Sequence, residues 1–175
     1  MSILKNDIQT APGCLQTCTG LRSGIEAAIH ATHKSWDHPS TQCLLQVDVD
    51  NAFNRLNRNV ALHNIKEICP SLVTYLHNHY QSAANLFVKD DCKQEVFLSD
   101  EGCTQGDPSA MSFYALGVKP LVDILADSID DEKCQQSWFA DDSNSIGELA
   151  EVIKIWWQTL NTYRPKFHSQ IHVSS

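Results

Sequence analysis

Positive charge is scarce in this sequence. It has 13 Lys and Arg residues against 21 Asp and Glu residues, and its formal net charge at pH 7 is -8. Proteins hold nucleic-acid phosphates mainly through Lys and Arg side chains. The charge balance therefore argues against a chain that binds nucleic acid tightly by itself.

Cysteine pairs at metal-binding or redox spacing are also missing. Seven cysteines are scattered along the chain, at positions 14, 18, 43, 69, 92, 103 and 134, and none forms a C-x-x-C pair. Cys14 and Cys18 are four residues apart but have no second pair at zinc spacing. Such a set indicates reduced thiols rather than a disulfide framework, so the sequence predicts an intracellular protein, nuclear or cytoplasmic.

Long apolar runs are absent too. No run is long enough to cross a membrane, and residues 1–13 lack the apolar stretch of a secretory signal. No membrane partner is therefore expected. What is present is ordinary globular chemistry, with 175 residues of which 42% are hydrophobic and 19% charged. That length and composition suit one domain with a substantial core.

Hydrophobic periodicity divides the chain into helical and extended segments. Helices are predicted over 20–36, 57–69, 70–80, 107–127 and 148–163. Strands are predicted over 42–49, 85–89, 94–99, 135–140 and 143–147, the first of them buried. This order of elements predicts an α+β fold in which helices pack on one face of a mainly antiparallel sheet.

Several residues mark predicted helix ends. Asn57 or Asn59 is expected to cap the second helix, and Pro70 is expected to end it and begin the third. Asp107 suits an N-cap with Pro108 in the first turn, and Pro120 is expected to kink the resulting long helix.

Adjacent aspartates occur at three places in the sequence. Asp90-Asp91 lies between two strand patterns and is predicted to be an exposed turn, whereas Asp130-Asp131 lies in the polar stretch SIDDEK and is predicted to be solvated. Asp141-Asp142 differs because it lies at the crest of a predicted hairpin, between the apolar run 138–140 and a short polar run that returns to Ile146. A further acid, Asp48, ends the apolar strand over 42–49.

Three motifs, taken in order, resemble the palm of reverse transcriptases. They are D-x-x-x-A-F-N over 48–54, QGDP over 105–108 and FADD over 139–142, and 93 residues separate Asp48 from Asp141. The QGDP form is closer to retroelements of the non-LTR, retron and group II types than to retroviruses. The resemblance covers roughly residues 44–157 and implies a polymerase palm with part of the fingers.

The resemblance implies a catalytic metal site. Template-directed addition of deoxynucleotides to a primer 3′-OH is an in-line phosphoryl transfer, in which two Mg²⁺ or Mn²⁺ ions stabilise the attacking and leaving oxygens. The catalytic residues would be Asp48, Asp141 and Asp142. The metal ligands would be Asp48, Asp141 and the Val49 carbonyl, with Asp142 as a supporting or second ligand.

The same resemblance implies a nucleotide site. Asn51 and Ala52 would offer backbone N–H groups to the triphosphate, and Phe53 would lie under the sugar and reject a ribose 2′-OH. Gln105 and Gly106 would border the nucleotide and the template strand. The expected partners are an RNA or DNA template with its primer and a dNTP.

Plainer interpretations of these residues stay open. The three site aspartates are otherwise solvated turn acids, Phe53 a core aromatic and Gln105 a loop amide. Arg55 and Arg58 contact phosphate or form surface ion pairs. His30 and His33 share a helical face, but no partner pair for zinc is visible. Trp156-Trp157 is interpreted as a core residue followed by a half-exposed neighbour rather than as a base-stacking platform.

The pattern also predicts a domain organisation. Residues 1–41 are expected to be an N-terminal segment with part of the fingers, and 42–167 the palm with a fingers part near 85–104. Residues 168–175 are an atypical tail, because no N-x-x-K follows YRPKF. Basic fingers and a thumb are not visible, so a partner chain or missing segment is expected to be required. An inactive retroelement remnant, or an interaction module that keeps only the palm fold, is the alternative function.

Overall fold

A computed structural model of the chain describes residues 5–89, 93–167 and 171–173. Within them the helices are α1 (Lys5–Thr10), α2 (Gly24–Trp36), α3 (Ala52–Arg55), α4 (Arg58–Ile68), α5 (Pro70–Tyr80), α6 (Ala110–Asp127) and α7 (Leu149–Phe167). The strands are β1 (Cys43–Val49), β2 (Ala84–Lys89), β3 (Gln94–Ser99), β4 (Cys134–Phe139), β5 (Asp142–Gly147) and β6 (Ile171–Val173). Every predicted element forms, and α1, α3 and β6 are additions that the periodicity did not predict.

The main sheet has four strands in the order β4-β5-β1-β6, and all its neighbouring strands are antiparallel. In the β1–β5 pair the register runs from Cys43 opposite Gly147 to Val47 opposite Ser143. Strands β2 and β3 form a separate hairpin. The predicted α+β class with an antiparallel sheet is confirmed. The first strand is only partly buried, because Val47 alone among its residues is fully buried.

Alternation along the strands distinguishes the two faces of this sheet. On one face, Trp156 of α7 donates its indole N–H to the Ser145 hydroxyl over 2.8 Å. The neighbouring residue Ile146 points to the other face, and so does Gln135, with which Ile146 is paired. There the hydroxyl of Ser35 in α2 donates a hydrogen bond to the Gln135 side chain. The core therefore lies on the α7 side, and α2 covers part of the opposite face.

The core is built around α6. Phe113, Leu116 and Leu125 of this helix are at most 1% exposed. Gly117 lets α6 approach α4 closely, since a Cβ atom at this position would lie 2.9 Å from the Cβ of Ala61. Apolar burial of this kind is the main favourable contribution to folding.

The helix ends mostly follow the predicted residues. Asn57 caps α4 by accepting a hydrogen bond from the Val60 N–H over 3.1 Å, and Pro70 is the first residue of α5. The predicted N-cap at Asp107 is wrong. Asp107 instead accepts hydrogen bonds from the backbone N–H and hydroxyl of Ser109, and α6 begins after Ser109. Pro120 lies inside α6, which continues to Asp127.

The structure also tests the predictions for the other acid pairs, the cysteines and the membrane. Asp130 and Asp131 are exposed, and Asp130 pairs with Lys133 over 3.0 Å, whereas Asp90-Asp91 lies outside the described residues. The six cysteines in the described segments are free thiols. Over the same segments, none of the helices has the length and apolar character that a membrane span needs.

Candidate active site

Asp48 and Asp142 lie at the same end and on the same face of the main sheet. Continuing the β1–β5 register by one residue places Asp48 opposite Asp142, since Val47 is opposite Ser143. Val47 and Ser143 are buried, so the alternation of side chains points both aspartates to the other, solvent-facing side. The predicted pair of strands therefore brings two of the three predicted acids together.

Asp141 is presented by a tight turn between β4 and β5. Phe139 pairs with Asp142, so Ala140 and Asp141 form a two-residue connection. Ala140 has a φ of 56°, a left-handed conformation that costs a residue with a Cβ atom about 1–2 kcal/mol. Ala140 is also buried, at 3% exposed. A strained, buried turn residue directly before a site acid is typical of functional sites.

The three carboxylates influence one another electrostatically. Burial raises the pKa of Asp141 above its ordinary value, and the charges of Asp142 and Asp48 raise it further. Burial likewise raises the pKa of Asp142, and Asp48 adds to the shift. The charge of Asp48 thus disfavours ionisation of both Asp141 and Asp142, and a bound cation would offset this repulsion.

This donor set suits a hard divalent ion. Mg²⁺ prefers oxygen ligands and is commonly held by one or two carboxylates, with waters and substrate phosphates completing its shell. Over the segments that the structure describes, no group of three or more His, Cys, Asp and Glu side chains encloses an ion-sized position. His30 and His33 are both exposed. A Mg²⁺ ion at Asp48 and Asp142 would therefore need waters and substrate phosphates to complete its shell.

A cleft borders two of these acids. It has a volume of about 370 Å³ and is lined on one side by Asp48, Asp142 and Phe139 and on the other by Ile25 and Ile29 of α2. Its acidic wall is at the end of the sheet, and its apolar wall is a helix. The cleft gives a ligand access to the acidic wall.

Helix α3 places the predicted sugar-contacting residue. Asn51 adopts a left-handed φ of 54°, and its side-chain oxygen accepts a hydrogen bond from the Asn54 amide over 2.6 Å. Ala52 is buried, and Phe53 is half-buried. The Phe53 ring stacks on Tyr114 of α6 with centroids 4.7 Å apart. Phe53 is thus a partly exposed ring held from below rather than a fully buried core aromatic.

The loop that carries Gln105 and Gly106 is hydrogen-bonded to α3 and to the residue that follows it. The N–H of Gly102 donates to the Leu56 carbonyl over 2.8 Å, and the N–H of Cys103 donates to the Phe53 carbonyl over 2.7 Å. Gln105 and Gly106 are exposed. Gly106 has a φ of 88° and open space around the position of a Cβ atom, as a backbone that receives a ligand would have.

Tyr114 lies near two of the site aspartates and also contacts Phe53. Burial raises its pKa, and the charges of Asp141, Cys103 and Asp48 raise it further. These electrostatic effects place both carboxylates in the neighbourhood of the ring that supports Phe53. Tyr114 therefore supports the Phe53 ring and is also subject to the charges of Asp141 and Asp48.

The prediction that Arg58 contacts phosphate or forms a surface ion pair is wrong. Its side chain is buried, and it donates to the carbonyl of Gly102 over 2.6 Å and to that of Ser99 over 2.9 Å. It is neither a phosphate contact nor a surface ion pair, because its donors are directed at the protein backbone. Arg55 does form a surface ion pair, with Asp50 at 3.7 Å.

Asp107 is the centre of a hydrogen-bond network beneath the same loop. Burial raises its pKa, but hydrogen bonds from the Tyr80 hydroxyl and Ser109 outweigh this, so the pKa is lowered. His79 lies 3.3 Å from the same carboxylate. The sequence did not predict that Tyr80 supports Asp107 or that Tyr114 supports Phe53. Each tyrosine is simply a bulky aromatic residue within a regular helical pattern. Trp156 is buried and Trp157 is 67% exposed, as predicted.

Comparison with known proteins gives structural matches alone. No family model and no curated protein sequence matches the chain. Apo telomerase from Candida tropicalis, truncated from its C-terminal domain, matches with a TM-score of 0.67 and 14% identity over 99% of this chain and 39% of that chain. Telomerase from Candida albicans, in complex with a TWJ fragment of telomeric RNA, matches with a TM-score of 0.65 and 11% identity over 99% of this chain and 34% of that chain.

Telomerase is a reverse transcriptase. This chain has a reverse-transcriptase-like fold. The match extends over nearly all of the chain but over only about a third of each telomerase. At this level of identity the similarity establishes the reverse-transcriptase-like fold alone, and the chemistry has to be argued from the site residues.

Proposed function

We propose that this chain is the palm, with part of the fingers, of a retroelement-type reverse transcriptase. The observation that supports the proposal is that Asp48 and Asp142 lie opposite each other at the end of the main sheet where the β4–β5 turn carries Asp141. Residues from two of the three sequence motifs, Asp48 and Phe53 from one and Asp141 from another, act on or contact Tyr114 in a fold that matches telomerase. The proposed reaction is addition of a deoxynucleotide to a primer 3′-OH, directed by an RNA or DNA template.

Asp48 and Asp141 are proposed to hold Mg²⁺ or Mn²⁺, assisted by Asp142 and the Val49 carbonyl. When bound, two such ions supply positive charge to the attacking 3′-oxygen and to the leaving pyrophosphate. The raised pKa values of Asp141 and Asp142 support this role, because a cation is the natural counter-charge for crowded carboxylates.

The remaining site residues are proposed to orient the nucleotide. Phe53 is proposed to lie under the sugar, and its ring is supported by the Tyr114 ring on which it stacks. Gln105 and Gly106 are proposed to border the nucleotide and the template strand, on a loop that the backbone hydrogen bonds of Gly102 and Cys103 join to Leu56 and Phe53. The backbone of Asn51 and Ala52 is proposed to face the triphosphate.

Primer extension on poly(rA)/oligo(dT) tests this function. The wild-type chain is compared with the double variant Asp141→Asn, Asp142→Asn in Mg²⁺ and in Mn²⁺, at low salt because the chain is acidic. The matched control is Asp130→Asn, Asp131→Asn, which removes the same charge from an exposed acid pair distant from the site.

Extension by the wild type and the control, but not by the site variant, is the expected result. A folded wild type that extends no primer in either Mg²⁺ or Mn²⁺ would contradict the proposed enzyme function. It would leave the alternative of an inactive remnant or a co-opted interaction module.

A further inference from the structure

The side chain of Gln16 makes contacts that none of the roles above explains. Gln16 is only 1% exposed, although it is polar and lies 124 positions away from the β4–β5 turn. Its Nε2 group donates to the carbonyl of Ala140 over 3.1 Å, and its Oε1 atom accepts from the N–H of Ala140 over 2.8 Å. One side-chain amide therefore satisfies both polar groups of the strained turn residue.

The geometry of this pair is specific to an amide. The Ala140 N–H requires an acceptor and the Ala140 carbonyl requires a donor, and only one orientation of the Gln16 amide provides both. Buried backbone groups that lose their partners destabilise the conformation that buries them. A paired Gln16 thus favours the left-handed conformation of Ala140 over its alternatives.

The backbone of Gln16 is itself fixed against β4. The Thr17 N–H donates to the Trp138 carbonyl over 2.8 Å, and the Trp138 N–H donates to the Leu15 carbonyl over 2.9 Å. Gln16 and Trp138 form a parallel bridge. The segment 15–17 is therefore bridged to the edge of β4, and this bridge holds the Gln16 side chain beside the turn.

We propose that Gln16 is a positioning residue for Asp141: its amide fixes the Ala140 peptide and so sets the direction in which the turn presents the Asp141 carboxylate to Asp48. The inference rests on the proposed function, because it treats Asp141 as a metal ligand. Residues that orient ligands from behind commonly change metal affinity or activity by about 10–100-fold when they are replaced.

The test uses Gln16→Met, which keeps the length of the side chain and removes both hydrogen bonds. The matched control is Thr17→Val, which removes the hydrogen bond from the Thr17 hydroxyl to the Trp138 carbonyl, 2.8 Å long, in the same edge segment without touching the turn. Mn²⁺ affinity is measured from the electron paramagnetic resonance of the free ion. Hydrogen exchange of the Ala140 amide is measured by NMR.

We expect Gln16→Met to bind Mn²⁺ about tenfold more weakly than the wild type, and Thr17→Val to stay within about twofold. The Ala140 amide is expected to exchange faster in Gln16→Met alone. If Gln16→Met does not fold, Gln16→Asn replaces it, since it keeps a buried amide that is one carbon too short to make both contacts.

Equal Mn²⁺ affinities in the Gln16 and Thr17 variants, or unchanged exchange at Ala140, would overturn the positioning role. Absence of Mn²⁺ binding by the folded wild type would instead reject the metal site of the proposed function. In that case the Ala140 exchange rates alone decide whether Gln16 fixes the turn, so the two failures are distinguishable.

Discussion

The ring of Phe53 lies on the ring of Tyr114, with the ring planes inclined by 20°. Tyr114 belongs to α6, in which nine residues are buried, whereas Phe53 belongs to the four-residue helix α3 and is half-buried. The position of the exposed ring is therefore determined by the buried one. Stacked aromatic pairs contribute about 0.5–1.5 kcal/mol beyond the area that they bury.

The first prediction concerns the choice of sugar. Replacing Tyr114 with Leu removes the support beneath Phe53, so the preference for dNTP over rNTP is expected to fall by about tenfold, the effect of losing roughly one tight apolar contact. Replacing Tyr114 with Phe keeps the stack and should leave the preference unchanged. Single-nucleotide incorporation with dTTP and UTP measures the ratio. An equal loss in both variants would contradict the support role.

A second prediction concerns the approach of α6 to α4. Gly117→Ala places a methyl group against Ala61, and overpacking of about 1–3 kcal/mol outweighs a gain in helix propensity of about 1 kcal/mol. The double variant Gly117→Ala, Ala61→Gly moves the methyl group from one helix to the other. Urea unfolding should show that it recovers most of the lost stability. Additive losses would mean that the two positions do not collide.

The two arginines near the site should differ strongly in their effect on folding. Arg58→Ala leaves buried carbonyl groups without their donors and is expected to lower the free energy of unfolding by roughly 2–4 kcal/mol. Arg55→Ala removes an exposed ion pair and should cost less than about 1 kcal/mol. Thermal and urea unfolding of both variants measure the difference. Similar losses would argue against the backbone contacts of Arg58.

The fourth prediction follows from the lowered pKa of Asp107. A carboxyl whose pKa is lower in the folded state than in the unfolded chain stabilises the protein above the unfolded value of about 3.9. This stabilisation is lost as the pH falls through the folded pKa. The loss of unfolding free energy between about pH 6 and pH 3 should therefore be smaller in Asp107→Asn than in the wild type.

The control for this pH effect is Asp131→Asn, which makes the same charge change at an exposed loop position. Its pH dependence should follow that of the wild type. Tyr80→Phe removes one donor to Asp107 but keeps the ring that stacks on Phe113. It is expected to give an intermediate slope. A slope in Asp107→Asn as steep as in the wild type would exclude the network as its source.

The sequence predicted those elements whose signal is local and long. The apolar strand before Asp48, the helix after QGDP and the hairpin around Asp141 all form, because each has a regular period and a clear boundary. Helix α3 was missed since four residues are too few to show a period. The start of α6 was wrongly predicted at Asp107. Its carboxylate accepts a hydrogen bond from the Ser109 N–H and so forms a turn, and in sequence an aspartate in such a turn resembles an N-cap.

The supporting contacts of the site could not be predicted in this way. Arg58 finds its partner Gly102 44 positions further along the chain, and Tyr80 finds Asp107 after 27. Such contacts depend on how the elements pack, which no local pattern records. The candidate ligands could be named from motifs, whereas the residues that hold them in place became visible only in the folded chain.

The contact between Gln16 and Ala140 joins positions 124 residues apart. Closing a loop of that length is entropically unfavourable, and contacts of high sequence separation slow folding. The local helices are therefore expected to form first on refolding, and the turn that presents Asp141 to reach its final shape only when the amino-terminal segment docks. Recovery of the turn that carries Asp141 should then lag behind recovery of the helical signal.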